Sequence, residues 1–295
     1  PTVGLLSRSG IIPISFTSDT PGPMTRTVTD AAIALGTMVG VDEADSKTTA
    51  SEGNYSTDYT SFLDAESLKG KRLGLWTGPM GRRFRVDTLM HQTVRKLEEL
   101  GAEVVEVNRM AKENVGRASY QVLLYEFKDG LNTYFATLGD DAPVKDLDEL
   151  IEKTFSDPVE MKYFDHNELL EAQKKGSLED KEYQEAVKKM LEVSQKGIDN
   201  VLDTYDLDAI IAPTGAPAWK TDHTNGDNFS VSASSPAARA GYPAITVPMG
   251  YIDGLPVGIT FFGTAWDEGN LIGMAYAFEQ ATTVRKVPTF RNYEF

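Results

Sequence analysis

Three histidines, His91, His166 and His223, are the only imidazoles this chain offers as general bases near neutral pH. His223 has the most suggestive neighbours, following Asp222 and preceding Ser230, Ser232, Ser234 and Ser235, the residue types of a base-activated serine. Side chains of adjacent Asp and His point apart, however, and no G-x-S-x-G elbow accompanies them, so this run reads as loop and not as a triad. His91 lies on a charged helical pattern and His166 between Asp165 and Asn167, and both read as solvent-facing.

Other chemistries find less support. The sequence has no H-E-x-x-H pair and no EF-hand loop, and Asp140–Asp141 reads as a solvated acidic turn. Neither G-x-G-x-x-G nor G-x-x-x-x-G-K-[ST] occurs, so nucleotide phosphates have no glycine cradle, and the DEAD tetrapeptide at 42–45 stands without one. The absence of cysteine excludes disulfides, thiolate nucleophiles and cysteine-ligated metals within these 295 residues. A formal charge of −15, from 29 basic against 44 acidic residues, argues against nucleic acid and anionic membranes as partners. No cofactor is expected.

The elements that would position any site read as α/β. KRLGLW (71–76) is a strand, 87–100 carries Leu89, Val94, Leu97 and Leu100 at helical spacing before Gly101, and EVVEV (103–107) is the next strand. Strand, helix, glycine stop and strand is the pattern of a parallel crossover. Residues 109–205 are mostly helical and charged, forming a helical insertion with Gly176–Ser177 between two helices; DAIIAP (208–213) is a buried strand. AITV (244–247) and PVGITFF (256–262) form an antiparallel hairpin through a turn at 251–254, and 270–281 is a closing helix. The first residues read as a strand start, then a turn-rich loop, then a helix over 26–39 capped by Thr25; 41–64 reads as an exposed loop and 213–237 as a long irregular segment. The expected fold class is α/β, a mixed, largely parallel sheet with helices on both faces.

RSGIIPIS (8–15) followed by DTPGPMTRTVTDAA (19–32) resembles the distal signature region of the amidase signature family, the Ser–cisSer–Lys amidases. The likeness returns in LDAIIAPTGAPAW (207–219), AGYPAITVPMG (240–250), GLPVGITFFG (254–263) and AYAFEQAT (275–282), in the family's order. The resemblance implies that residues 1–295 are the C-terminal portion of a single amidase domain hydrolysing linear amides. Neither a GGSSGGS-like nor a GTETxGS-like run is present, so the implied lysine and both serines would lie upstream of Pro1, no catalytic residue is assigned, and the chain alone should be inactive. The alternative to such a cut is a small natural protein beginning Met-Pro.

Residues expected to contribute the substrate wall are Asp19, Thr20, Tyr125, Thr214, Gly215, Pro217, Asn225, Asp227 and Phe229, facing a small-molecule or peptide amide. Arg26 reads better as an ion pair pinning the first loop than as a carboxylate partner. The NGDNF loop resembles that of peptide-amidase-like enzymes, whereas the MYLxDIFT-like stretch of amidotransferase A subunits is missing. The alternatives are a non-catalytic binding module that keeps the pocket, and an amidotransferase A-type subunit. Val3, Leu5, Ile11, Ile12 and Ile14 are expected to be uncovered and to drive self-association.

Overall fold

The computed structural model describes residues 1–289, built on one five-stranded sheet. Its strands are β1 (Arg72–Trp76), β2 (Glu103–Val107), β3 (Ala209–Pro213), β4 (Ala244–Ile252) and β5 (Leu255–Phe262), in the order β2-β1-β3-β5-β4. β1 pairs in parallel with β2 and β3, while β3–β5 and β5–β4 are antiparallel, so the sheet is mixed and its pairings divide evenly.

Alternation along the strands assigns the two faces. Leu73, Leu75, Ala209, Ile211 and Phe261 join α1 (Val28–Met38), α2 (Phe84–Glu99) and α9 (Glu268–Thr282) in the larger core. Val107, Ile210 and Phe262 point the other way, onto α7 (Lys181–Tyr205) and α8 (Ser234–Ala240). Helices therefore cover both faces.

Between β2 and β3 the chain builds α3 (Gly116–Ala136), α4 (Leu147–Ser156), α5 (Glu160–Tyr163), α6 (Asn167–Gln173) and then α7. Helix α3 packs on α7 through Val122, Tyr125, Tyr183 and Met190, and on α4 and α6 through Leu124, Leu131, Leu147 and Ala172. Helix α2 stops in a Schellman arrangement: Gly101 (φ +92°) donates to the Glu98 carbonyl and Ala102 to that of Leu97. The hairpin turn is Asp253–Gly254, both at positive φ, the two-residue connection whose twist suits paired strands.

Several sequence expectations need correction. No strand opens the chain; residues 1–27 are irregular, with one bridge between Leu6 and Val39. Thr27, not Thr25, caps α1, its hydroxyl accepting from the Asp30 N–H at 3.0 Å, and the Glu279 carboxylate accepts from the Val28 N–H. Segment 41–64 contains two short 3-10 turns and buries Asp45, Thr48, Ser51 and Tyr59, because its polar residues satisfy one another and Arg8. The irregular segment after β3 ends earlier than expected, at Ala233, where α8 begins. Val3 and Leu5 are buried, so the uncovered apolar residues at this end are Ile11, Ile12 and Ile14.

Candidate functional site

The topology itself marks a place for a ligand. From β1 the chain crosses to β2 through α2 on one face; from β2 it returns past β1 to β3 through α7 on the other. Helices on opposite faces diverge at this switch, leaving a crevice outside the carboxyl ends of β1 and β3. A pocket of about 450 Å³ lies there. The segment after β1 lines it with Arg82, Arg83, Phe84 and Arg85, and the segment after β3 with Ala216, Pro217, Ala218 and Trp219.

Two of those arginines tie the rim together. The Arg83 guanidinium donates to Ser230 Oγ at 2.9 Å and to the Asn228 side-chain carbonyl, fastening the far end of the β3 loop to the β1 loop. Arg85 meets both carboxylate oxygens of Asp253, at 2.6 and 2.9 Å, fastening α2 to the β4–β5 turn and holding the Asp253 carboxyl below its usual range. Arg82 makes no ion pair or hydrogen bond among the described residues and is exposed. Trp219 presents its ring edge to Phe229 at 6.0 Å between centroids, and Phe84 stands largely free of the surface.

The sequence-predicted residues distribute unevenly around this crevice. Pro217 lines it, and Phe229 braces Trp219. Thr214, one residue beyond β3, closes a triangle of hydroxyls with β5 and β4: its Oγ1 lies 2.7 Å from that of Thr260 and 3.4 Å from that of Thr246, which are 3.0 Å apart. Gly258 must be glycine for these hydroxyls to meet, since a Cβ there would stand 2.7 Å from the Thr246 methyl and 2.9 Å from Thr214 Oγ1. Gly215 bridges Ser232. Asn225 closes a turn on Asp222, and Asp227 is exposed on the same loop.

Others lie elsewhere. Asp19 accepts the Ile14 and Ser15 N–H groups at 2.9 and 3.0 Å, shaping the first loop nine residues ahead of α1; Thr20 beside it is exposed. Tyr125 is buried between α3 and α7, its hydroxyl 3.0 Å from a Glu182 carboxylate oxygen, and burial beside two carboxylates pushes its pKa up to about 12. The first loop is pinned by Arg8, not Arg26: Arg8 makes an ion pair of 2.6 Å with Asp45 and donates to the Phe16 carbonyl. Arg8 holds the Asp45 carboxyl down to about 2. His91 and His223 are exposed, His223 stacking on Tyr163 at 5.0 Å; His166 is half-buried, 3.2 Å from Glu160, which departs from its solvated reading.

The arginines and Trp219 were missed by sequence reasoning. The signal was available: R-R-F-R, in the turn-rich segment that follows a strand, in a chain of net charge −15.

A second, larger cleft of about 1330 Å³ runs along β4, the end strand of the described sheet. It is lined by Pro1, Gly22 to Val28, Pro243 to Pro248, Leu271, Ile272 and Glu279, and Arg26 opens into it. Glu268 lines the same cleft, 5% exposed, accepting the Thr2 N–H at 2.6 Å with Oε1, while its Oε2 has no partner among the described residues.

Among the described residues no serine or threonine hydroxyl is hydrogen-bonded to a lysine or histidine side chain, and no cluster of three metal-ligating side chains occurs. What the site offers is recognition: a crevice with cationic rim, indole and apolar walls.

A mixed sheet of this order, flanked by helices and with its crevice at the switch between β1 and β3, defines an α/β scaffold of the kind that binds ligands at such a switch. The amidase family model matches residues 1–272, and the chain belongs to that family. It is 36% identical to a probable amidase of Arabidopsis thaliana over 98% of this chain and 54% of that protein. It is 33% identical to the glutamyl-tRNA(Gln) amidotransferase A subunit of Lactiplantibacillus plantarum over 97% of this chain and 59% of that one. Peptide amidase from Stenotrophomonas maltophilia superposes with a TM-score of 0.92 at 43% identity, over 99% of this chain and 59% of the other. A peptide amidase bound to the competitive inhibitor chymostatin gives 0.93 at 43% identity, over 98% and 59%. The chain thus spans little more than half the length of the relatives it matches.

Proposed function

We propose that the protein to which this chain belongs hydrolyses linear amides, peptide amides foremost, and that this chain supplies the scaffold and part of the substrate wall. The observation that carries the reading is the likeness to peptide amidase across the whole described sheet, at 43% identity. Family resemblance supplies the chemistry: a serine attacks the amide carbon, a cis-serine relays its proton to an unprotonated lysine and back to the leaving nitrogen, the C–N bond breaks to leave an acyl-enzyme, and water then releases the acid and frees the serine. These three groups are assigned to polypeptide beyond this chain. Among the described residues no strand pairs with the outer side of β4 and Glu268 Oε2 has no hydrogen-bond partner, which supports the 1330 Å³ cleft as the seat of that polypeptide. The amidotransferase reading is the weaker, since the Thermotoga maritima protein of that kind superposes at a TM-score of only 0.63.

The test is ammonia release from amidated peptides by the protein extended at its N-terminus to its relatives' full length. The reading expects release that chymostatin suppresses competitively. Absence of ammonia from any amidated peptide would overturn it.

A further inference from the structure

The crevice at the strand switch carries a feature that amide hydrolysis itself does not require. Three of four consecutive residues, Arg82 to Arg85, are arginines, in a chain with fifteen more acidic than basic groups. Arg85 is neutralised by Asp253, and Arg83 is spent on the neutral oxygens of Ser230 and Asn228. The nearby Asp87 accepts the Gly81 N–H at 3.0 Å with Oδ2, its Oδ1 has no hydrogen-bond partner among the described residues, and no ion pair joins it to Arg82. Arg82 is left with its guanidinium unpaired among the described residues, at the mouth of a 450 Å³ pocket walled by Ala216, Pro217, Ala218 and Val86. A cation in this setting, beside an indole 39% exposed and a phenyl ring 78% exposed, matches an anion carried on an apolar stem.

We propose that this crevice is a subsite for a peptide carrying a carboxylate on a side chain. Arg82 pairs the carboxylate, Arg83 adds positive potential from its fixed position, and Trp219 with Phe84 covers the adjoining apolar side chain. The geometry suits a planar carboxylate because a guanidinium offers paired N–H donors. For the peptide nature of the ligand the proposal rests on the amidase reading above; for its charge and shape it rests on the crevice alone. It makes Arg82 and Trp219 specificity residues with no part in bond cleavage.

The experiment is calorimetric titration of the protein with N-acetyl-glutamyl-phenylalanine amide and its glutaminyl and lysyl counterparts, and with the glutaminyl peptide ending in a free carboxylate. The glutamyl amide should bind about two- to fivefold more tightly than the glutaminyl amide, within the range of one exposed charge pair. The preference should shrink between about 50 and about 500 mM salt. Arg82→Gln should abolish it, Arg82→Glu should turn it toward the lysyl peptide, and Trp219→Ala should weaken all the peptides alike. Tightest binding by the free-carboxylate peptide would overturn the side-chain assignment in favour of a chain terminus. Equal binding of glutamyl and glutaminyl amides, a preference surviving Arg82→Gln, or no binding at all would overturn the proposal. The parallel ammonia assay on the extended protein keeps the two readings apart. Charge-selective binding without ammonia release spares the subsite and sinks the amidase reading; release without charge preference does the reverse.

Discussion

Glu126 shows how much of this chain's polar chemistry is spent on holding its own loops. It is fully buried on α3 and accepts from the Ser15 hydroxyl at 2.6 Å, the Thr17 N–H at 3.0 Å, the Thr17 hydroxyl and the Tyr183 hydroxyl at 2.8 Å. A carboxylate meeting only donors cannot be exchanged for an amide without turning one donor against another. Glu126→Gln is expected to cost about 2–4 kcal/mol in urea unfolding, and Tyr183→Phe about 1 kcal/mol. Arg8 and Asp45 do the same work on the other side of the loop. Because the folded-state pKa of Asp45 is depressed, its contribution is present above its unfolded pKa and fades as pH falls from about 4 toward about 2. Asp45→Asn should therefore lower stability at pH 7 by about 1–2 kcal/mol, with the gap to the parent protein closing across that acid window in thermal melts. Neither cluster was legible in the sequence, since partners such as Ser15 and Glu126 lie 111 positions apart. Arg26, within the motif, drew attention that belonged to Arg8.

At the level of elements, the strands and their periods were readable because a few local rules agree. EVVEV, AIIAP and the glycine after α2 each state one structure, and the strands lie where the sequence put them to within a residue or two at most ends. Helix α8 was missed because seven residues with an internal proline give a weak periodic signal; Gly241, at φ +71°, was the clue to its end. The hairpin rests on Asp253 and Gly254, and only the second is free of a Cβ penalty at its φ of +83°. Gly254→Ala should cost about 1 kcal/mol, measured by chemical denaturation, and Gly258→Val considerably more, through collision with Thr246 and Thr214. The parallel pairing of β1 with β3 places the Thr214 loop beside the arginine turn, and no single segment announces that. Of the residues expected on the loop after β3 only Pro217 lines the crevice, and none was expected on the loop after β1, because a positive run counts as surface until topology sets it against another loop.

For the molecule as a whole, we propose that this chain contributes to recognition and that bond cleavage rests on polypeptide beyond it. The fold brings a cationic crevice and a long cleft to the sheet's ends, yet among the described residues pairs no hydroxyl with an amine or imidazole base. The family motifs made the class legible from residues 8–32 and 207–282, while composition alone excluded partners without naming a substrate. The most direct measurement is ammonia release from an amidated peptide by this 295-residue chain, beside the same chain extended at its N-terminus to its relatives' full length. Release is expected from the extended protein only. Turnover by the 295-residue chain itself, abolished by a serine-directed reagent, would contradict the assignment.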